Sequence, residues 1–327
     1  MRKIISIEYL LSCMQRLLFM LVCLVCTNQV YAYDIKAAND DGVVIYYNIQ
    51  GKNAIVTSGD EKYTGDVRIP ATVICNEEPY SVVAIGNSAF LGCGALTSVV
   101  VPTSVTSIGN NAFFFCLSLK SIEIPSSVKS IGDDAFGYCD NLETVLFSEG
   151  LSNLGLHSFE NCKKLLSVSI PASVTHIGPS AFIGNDGMTK ISVEPGNPVY
   201  DSRGNCNAII ETSSNTLITG CRTTKIPNSI TAIGNSAFYD CKTLTSIELP
   251  NSITTIGTFA FNHCSKLKKV VSVIREPFKI TEDAFSDIPG GAVLYVPAGT
   301  KKAYKNVGGW NLLQITETRE NISSADK

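Results

Sequence analysis

The dipeptide Ala-Phe returns along this chain at a nearly fixed period, and that period leaves few folds open. It stands at Ala89-Phe90, Ala112-Phe113, Ala135-Phe136, Ala181-Phe182, Ala237-Phe238, Ala260-Phe261 and Ala284-Phe285, with Ser158-Phe159 filling the one gap. Successive phenylalanines are 23, 23, 23, 23, 56, 23 and 24 residues apart. Three residues after the Phe comes Cys93, Cys116, Cys139, Cys162, Cys241 or Cys264, and three further on Leu96, Leu119, Leu142, Leu165, Leu244 or Leu267. An alternating apolar pair follows, such as Ile122/Ile124, and then Pro102, Pro125, Pro171 or Pro250. A second apolar pair precedes a glycine, as in Val128/Ile131-Gly132. A unit this short cannot bury its own apolar face, so identical units must stack.

Each element of the unit has a physical role. Leu-x-x-Ile-x-Ile reads as a short strand with alternate side chains inward. Proline ends it, because Pro cannot donate to a ladder. Glycine is expected to supply the positive φ of a corner. The phenylalanines should insert between coils as one buried column. The expected fold is therefore mainly β: a right-handed solenoid of about eight 23-residue coils with parallel strands, roughly 40 Å long at the inter-strand spacing. It should occupy residues 83–193 and 221–300. Residues 194–220 interrupt it, where Asn207 to Glu211 and Thr216 to Gly220 flank Ser213-Ser214-Asn215 and read as an inserted hairpin. Residues 33–82 lack the repeat and read as an N-terminal β cap; 301–327 read as a C-terminal cap, with Tyr304 to Trp310, and a polar tail. Asn185 takes the cysteine position in one coil, where Met188-x-x-Ile191-x-Val193 continues the frame.

Residues 1–32 read as an export signal. Arg2, Lys3 and Arg16 precede the apolar run Leu17 to Cys26, and cleavage is expected near Ala32. The true start is Met1 or Met14. The run is too short for a membrane span, and no other stretch reaches the ~20 apolar residues a transmembrane helix needs. The expected location is secreted, cell surface or periplasm, and the expected state is a monomer. The formal charge is −3, and without the signal 23 cations face 28 anions. Such a chain, free of basic runs, is a poor partner for nucleic acid.

The unit Leu119-x-x-Ile122-x-Ile124-Pro125-x-Ser127-Val128-x-x-Ile131-Gly132-x-x-Ala135-Phe136-x-x-Cys139 resembles the repeat of the BspA-like leucine-rich repeat family. The segment Val293 to Thr300, followed by Tyr304 to Trp310, is similar to that family's closing segment, and the likeness covers about residues 83–315. The resemblance implies a leucine-rich-repeat solenoid from a secreted or surface protein of anaerobic gut or oral bacteria. Some members of the family are implicated in binding host matrix proteins or mucosal surfaces.

Little catalytic chemistry is visible. Nine cysteines remain after the signal. Six occupy one repeat position, which favours a buried thiol ladder over disulfides; Cys206 and Cys221, which bracket the hairpin, are the best candidates for a disulfide. Metal sites gather ligands at local Cys or His spacings, and a 23-residue ladder is not one. His157, His176 and His263 lie in different coils and read as repeat decoration, and Asp133-Asp134 and Asp40-Asp41 as solvated turns. With no nucleophile elbow, zinc-protease motif, phosphate loop or dinucleotide fingerprint, no enzyme, cofactor or metal is expected. The candidate binding face is the set of outward strand residues: Ser98, Val100, Ser121, Glu123, Thr144, Leu146, Ser167, Ser169, Lys190, Ser192, Ser246, Glu248, Lys269 and Val271. Phe114, Phe115 and Tyr138 form a second candidate patch, and the hairpin a third. The expected function is non-enzymatic binding of a protein or glycan at a host or bacterial surface, as an adhesin would; the alternative is a scaffold of the bacterial envelope without a soluble ligand.

Overall fold

The computed structural model of the chain describes residues 33–318. Residues 1–32, expected to be an export signal, and the tail 321–327 lie outside them. The described chain winds into a parallel β-solenoid of about ten turns spaced about 23 residues apart. The strands Gly65–Arg68, Leu96–Val100, Ser121–Ile124, Thr144–Phe147, Ser167–Ile170 and Lys190–Val193 form one parallel sheet. Ile122 stands opposite Val145, and Val168 opposite Ile191, so equivalent residues of adjacent coils meet. The second apolar pair of each unit makes a two-residue strand, as at Ser107–Ile108, Ser130–Ile131, Asn153–Leu154 and His176–Ile177, and these stack on Glu78–Ile85.

The N-terminal cap is the antiparallel set Ile35–Ala38, Val44–Gln50 and Asn53–Thr57, whose last strand runs parallel to Glu78–Ile85. Regular stacking already begins with Gly65–Arg68. Its Val67-x-Ile69-Pro70 repeats the pattern of Val99-x-Val101-Pro102, and Tyr63 packs on Phe90 with ring centroids 4.5 Å apart. At the other end the helix Lys301–Asn306 buries Tyr304, whose hydroxyl donates to Ile274 O at 2.9 Å. Trp310 packs beside Phe285 and donates its indole N–H to Phe278 O. The aromatic side chains of both caps thus close the ends of the phenylalanine column.

That column is the centre of the core. Phe90, Phe113, Phe136, Phe159 and Phe182 stack with centroids 4.8, 4.9, 4.9 and 5.5 Å apart and rings within 9° of parallel. Beside it runs the thiol ladder. Cys116, Cys139, Cys162 and Cys264 each donate an S–H hydrogen bond, at 3.1–3.2 Å, to the carbonyl of the phenylalanine 26 residues earlier. Asn185 makes the same bond to Phe159 O with its amide. The position therefore selects a small side chain that buries easily and still satisfies a buried carbonyl. Cys206 and Cys221, expected as the best candidates for a disulfide, are free thiols like the other described cysteines. Each donates elsewhere, Cys206 to Ala208 O and Cys221 to Asn207 O.

The repeat glycines correct another expectation. Gly109, Gly132, Gly155, Gly178 and Gly257 do not have positive φ. A Cβ on Gly132 would come within 2.6 Å of Asn110 N and 2.7 Å of Gly109 C. Glycine is needed there because successive backbones approach too closely for a side chain. The left-handed residues lie two positions later, at Ser88, Asn111, Asp134, His157, Ser180, Ser236 and Phe259. Gly132→Ala should cost about 1–3 kcal/mol by overpacking. Gly94→Ala, whose Cβ would enter open space, should change stability by less than about 0.5 kcal/mol. Urea melts of the two variants test the contrast.

The hairpin forms as Ala208–Glu211 antiparallel to Thr216–Gly220. It is spliced into the solenoid: Thr216–Gly220 runs parallel to Ala232–Ile233, and Ile209, Ile210 and Leu217 are buried. Gly220 meets the ring of Phe238, where a side chain would collide with it. The phenylalanine column consequently breaks between Phe182 and Phe238 and resumes as Phe238, Phe261 and Phe285. The strand sheet breaks at the same level. Residues 222–226 form no strand, and Thr224, in an inward position, donates to Asn207 O at 2.6 Å. A second parallel sheet follows, of Ser246–Leu249, Lys269–Ser272, Val293–Val296 and Gln314–Glu317. The seam between Phe182 and Phe238 holds a cavity of about 20 Å³, space for about one water.

Candidate functional site

The outward strand residues fall into two sets. In the first sheet Ser98, Ser121, Thr144, Ser167 and Lys190 stand in one row across consecutive strands. Val100, Glu123, Leu146, Ser169 and Ser192 lie two residues further along the same strands. Leu146 is opposite Glu123, and Ser169 opposite Ser192. Ser246, Glu248, Lys269 and Val271 belong to the second sheet, where Ser246 faces Lys269 and Glu248 faces Val271. Glu123 and Glu248 therefore lie on opposite sides of the seam. Leu146 is 57% exposed and Val100 46%.

Part of this face is already engaged internally. The Asp66 carboxylate accepts hydrogen bonds from Ser98 and Thr97 hydroxyls at 2.6 and 2.7 Å, and these bonds lower its pKa. Ser169 and Ser192 share a 2.9 Å hydroxyl–hydroxyl bond. Lys269 lies over the Tyr295 ring at 5.5 Å. Asp66 and Arg68 extend the two rows by one strand, opposite Ser98 and Val100. Sequence reasoning missed them because no Ala-Phe precedes this strand: nine residues before Val67, where the repeat has Phe, stands Ser58; the signal was Val67-x-Ile69-Pro70. The face offers hydroxyl donors and acceptors, scattered charge and two apolar spots, which suits noncovalent contact with an extended partner.

Phe114, Phe115 and Tyr138, expected as a surface patch, pack on one another with centroids 4.5–5.4 Å apart. Phe114 is buried, its ring close to Gly137. The three rings are chiefly a packing cluster. The hairpin, also a candidate surface, spends its apolar residues on the core.

Beside that cluster the structure brings together residues that the sequence reading kept apart. Asp134 and His157 hold the same left-handed position in adjacent coils, with φ of 54° and 52°. Their side chains meet across the stack: His157 Nδ1 lies 3.8 Å from Asp134 Oδ1 and 3.8 Å from Glu160 Oε2. Glu160 is 2% exposed. Its Oε1 accepts from Asn161 Nδ2 at 3.1 Å and from the Tyr138 hydroxyl at 3.4 Å. A related trio forms further on, where Asp240 Oδ1 lies 3.8 Å from His263 Nδ1 and Asp287 Oδ2 lies 3.4 Å from His263 Nε2. The 23-residue spacing of Asp134 and His157 was legible; what it implied needed the shared left-handed conformation, which aims both side chains along the stack.

The comparisons agree with the solenoid fold. The model of the BspA type leucine rich repeat region matches six copies over residues 77–197 and 210–307. No curated protein matches the sequence. Among solved structures, a leucine rich cell surface protein from Faecalibacterium prausnitzii aligns over 90% of this chain and 99% of its own, at 21% identity and a TM-score of 0.53. A leucine-rich repeat protein from Bacteroides ovatus aligns over 87% of this chain and 90% of its own, at 23% identity and a TM-score of 0.52. One from Eubacterium ventriosum aligns over 87% and 84%, at 19% identity and a TM-score of 0.53. At these identities the likeness is one of fold.

Proposed function

From the premise that this chain belongs to the BspA-type leucine-rich repeat family, we propose that it is a non-enzymatic recognition protein, exported to the cell surface or beyond, that binds a protein or glycan through its first strand sheet. The observation that carries this reading is the sheet of six parallel strands running from Gly65–Arg68 to Lys190–Val193, whose outward residues stand in register. Repeated faces of this kind hold extended partners along their length. The exposed Leu146 and Val100 flank Glu123 on adjacent strands and supply the apolar centre such a contact needs. An adhesin-like role at a host surface fits the family and the signal-like N-terminus.

The purified protein should be screened against host matrix proteins, mucin and a glycan array. The expected result is a saturable hit that Leu146→Arg and Glu123→Lys each weaken at least about tenfold. Glu248→Lys, beyond the seam, should leave it unchanged. A hit lost with Glu248→Lys and kept with Leu146→Arg would move the site to the second sheet. No hit from folded protein would favour an envelope scaffold.

A further inference from the structure

We propose that Asp134, His157 and Glu160 bind one divalent first-row transition-metal ion, with Zn²⁺ as the test ligand, across two successive coils. The inference is independent of what the strand face recognises. One donor atom from each residue lies within 4.8 Å of the other two. Both carboxylates face the same imidazole nitrogen, Nδ1, at 3.8 Å. That is too long for a direct hydrogen bond. A tetrahedral ion at about 2.0–2.1 Å from each donor holds its donors about 3.4 Å apart, so the two pairs that include His157 close by about 0.4 Å each, and the Asp134–Glu160 pair, within 4.8 Å, by at most about 1.4 Å.

Charge points the same way. Glu160 is almost wholly buried, and a carboxylate in such a place persists where a cation or a set of donors compensates it. Asn161 and Tyr138 fix Oε1, which turns Oε2 toward His157. Asp134 and His157 are 29% and 18% exposed at the side chain, so an ion can enter from solvent and keep a position for water. The donor set, one imidazole and two carboxylates, suits zinc and its neighbours; calcium prefers six to eight oxygens and magnesium a hydrated octahedron. The second histidine trio is a built-in contrast. Its carboxylates address opposite ring nitrogens of His263, so no single ion can bridge all three groups.

The test is calorimetric titration of Zn²⁺ into the untagged full chain after chelator treatment. One saturable equivalent is expected. His157→Gln and Asp134→Asn should each weaken it at least about tenfold, while His263→Gln leaves it unchanged. Glu160 is buried, so Glu160→Gln could disturb folding. The decision therefore rests on the two ligands that reach solvent, Asp134 and His157, each variant checked by circular dichroism. Absence of saturable binding in the parent protein would overturn the proposal. So would binding that His157→Gln and Asp134→Asn leave intact, since the ion would then sit elsewhere.

Discussion

Phe136→Ala should lower the unfolding free energy by about 3–5 kcal/mol, the size of loss expected for a ring in the interior of the column. Phe136 has no exposed surface and lies between Phe113 and Phe159, each with its centroid 4.9 Å away. Removing the ring takes its burial energy and leaves a cavity. The neighbours cannot close that cavity cheaply, because backbone bonds fix the coil spacing on both sides: Phe136 N donates to Ser158 O at 2.8 Å, and Phe113 N to Ala135 O at 2.7 Å. Phe182→Ala should cost less. It has a ring on one side only, at 5.5 Å, and on the other the seam with its existing cavity. Urea melts of both variants, followed by tryptophan fluorescence and far-UV circular dichroism, give the comparison. A loss below about 1 kcal/mol for Phe136→Ala would mean that the column contributes little beyond filling space.

The same contrast explains what the sequence could and could not reveal. Phe, Cys, Leu and the paired Ile or Val recur at fixed offsets, and offsets become neighbours once coils stack. The solenoid, the phenylalanine column and the hairpin were therefore legible. The glycine reading went astray because Gly132 looks the same in sequence whether it is needed for φ or for closeness; only the position of Asn110 in the preceding coil decides between them. The thiol ladder was legible as burial, but its hydrogen bond to the phenylalanine carbonyl was not. Asn185 was the hint, being an amide where the four preceding coils have Cys. The seam was hidden in Gly220 and Thr224, two ordinary residues whose effect depends on Phe238 and Asn207 lying beside them. The split of the outward face into two sheets follows from that seam, so Glu123 and Glu248 looked equivalent in the repeat while lying in separate sheets.

The ladder also implies that stability should fall steeply above about pH 9. Burial pushes the thiols of Cys116, Cys139, Cys162 and Cys264 well above their ordinary 9.0, and each neighbouring thiol in the stack adds to the rise. Cys93 is pushed up to about 11 and Cys241 to about 12, again chiefly by burial. In the unfolded chain these groups lose their protons near 9.0, while in the fold they keep them. Above that pH the unfolded state binds fewer protons than the native state, so the unfolding free energy decreases as pH rises. The contribution is fully present below pH 9 and is lost as pH climbs toward the folded values. Each such thiol adds a slope of about 1.4 kcal/mol per pH unit, and several act over one window. Urea melts in reductant at pH 7.5, 9 and 10 should show midpoints that hold at first and then drop. Cys139→Ala should begin from a lower stability at pH 7.5 and fall less steeply, by about 1.4 kcal/mol per unit, because one buried thiol no longer resists ionisation. A stability that stays level to pH 10 would mean that the thiols reach solvent in the folded protein, and the hydrogen-bonded ladder would have to be abandoned.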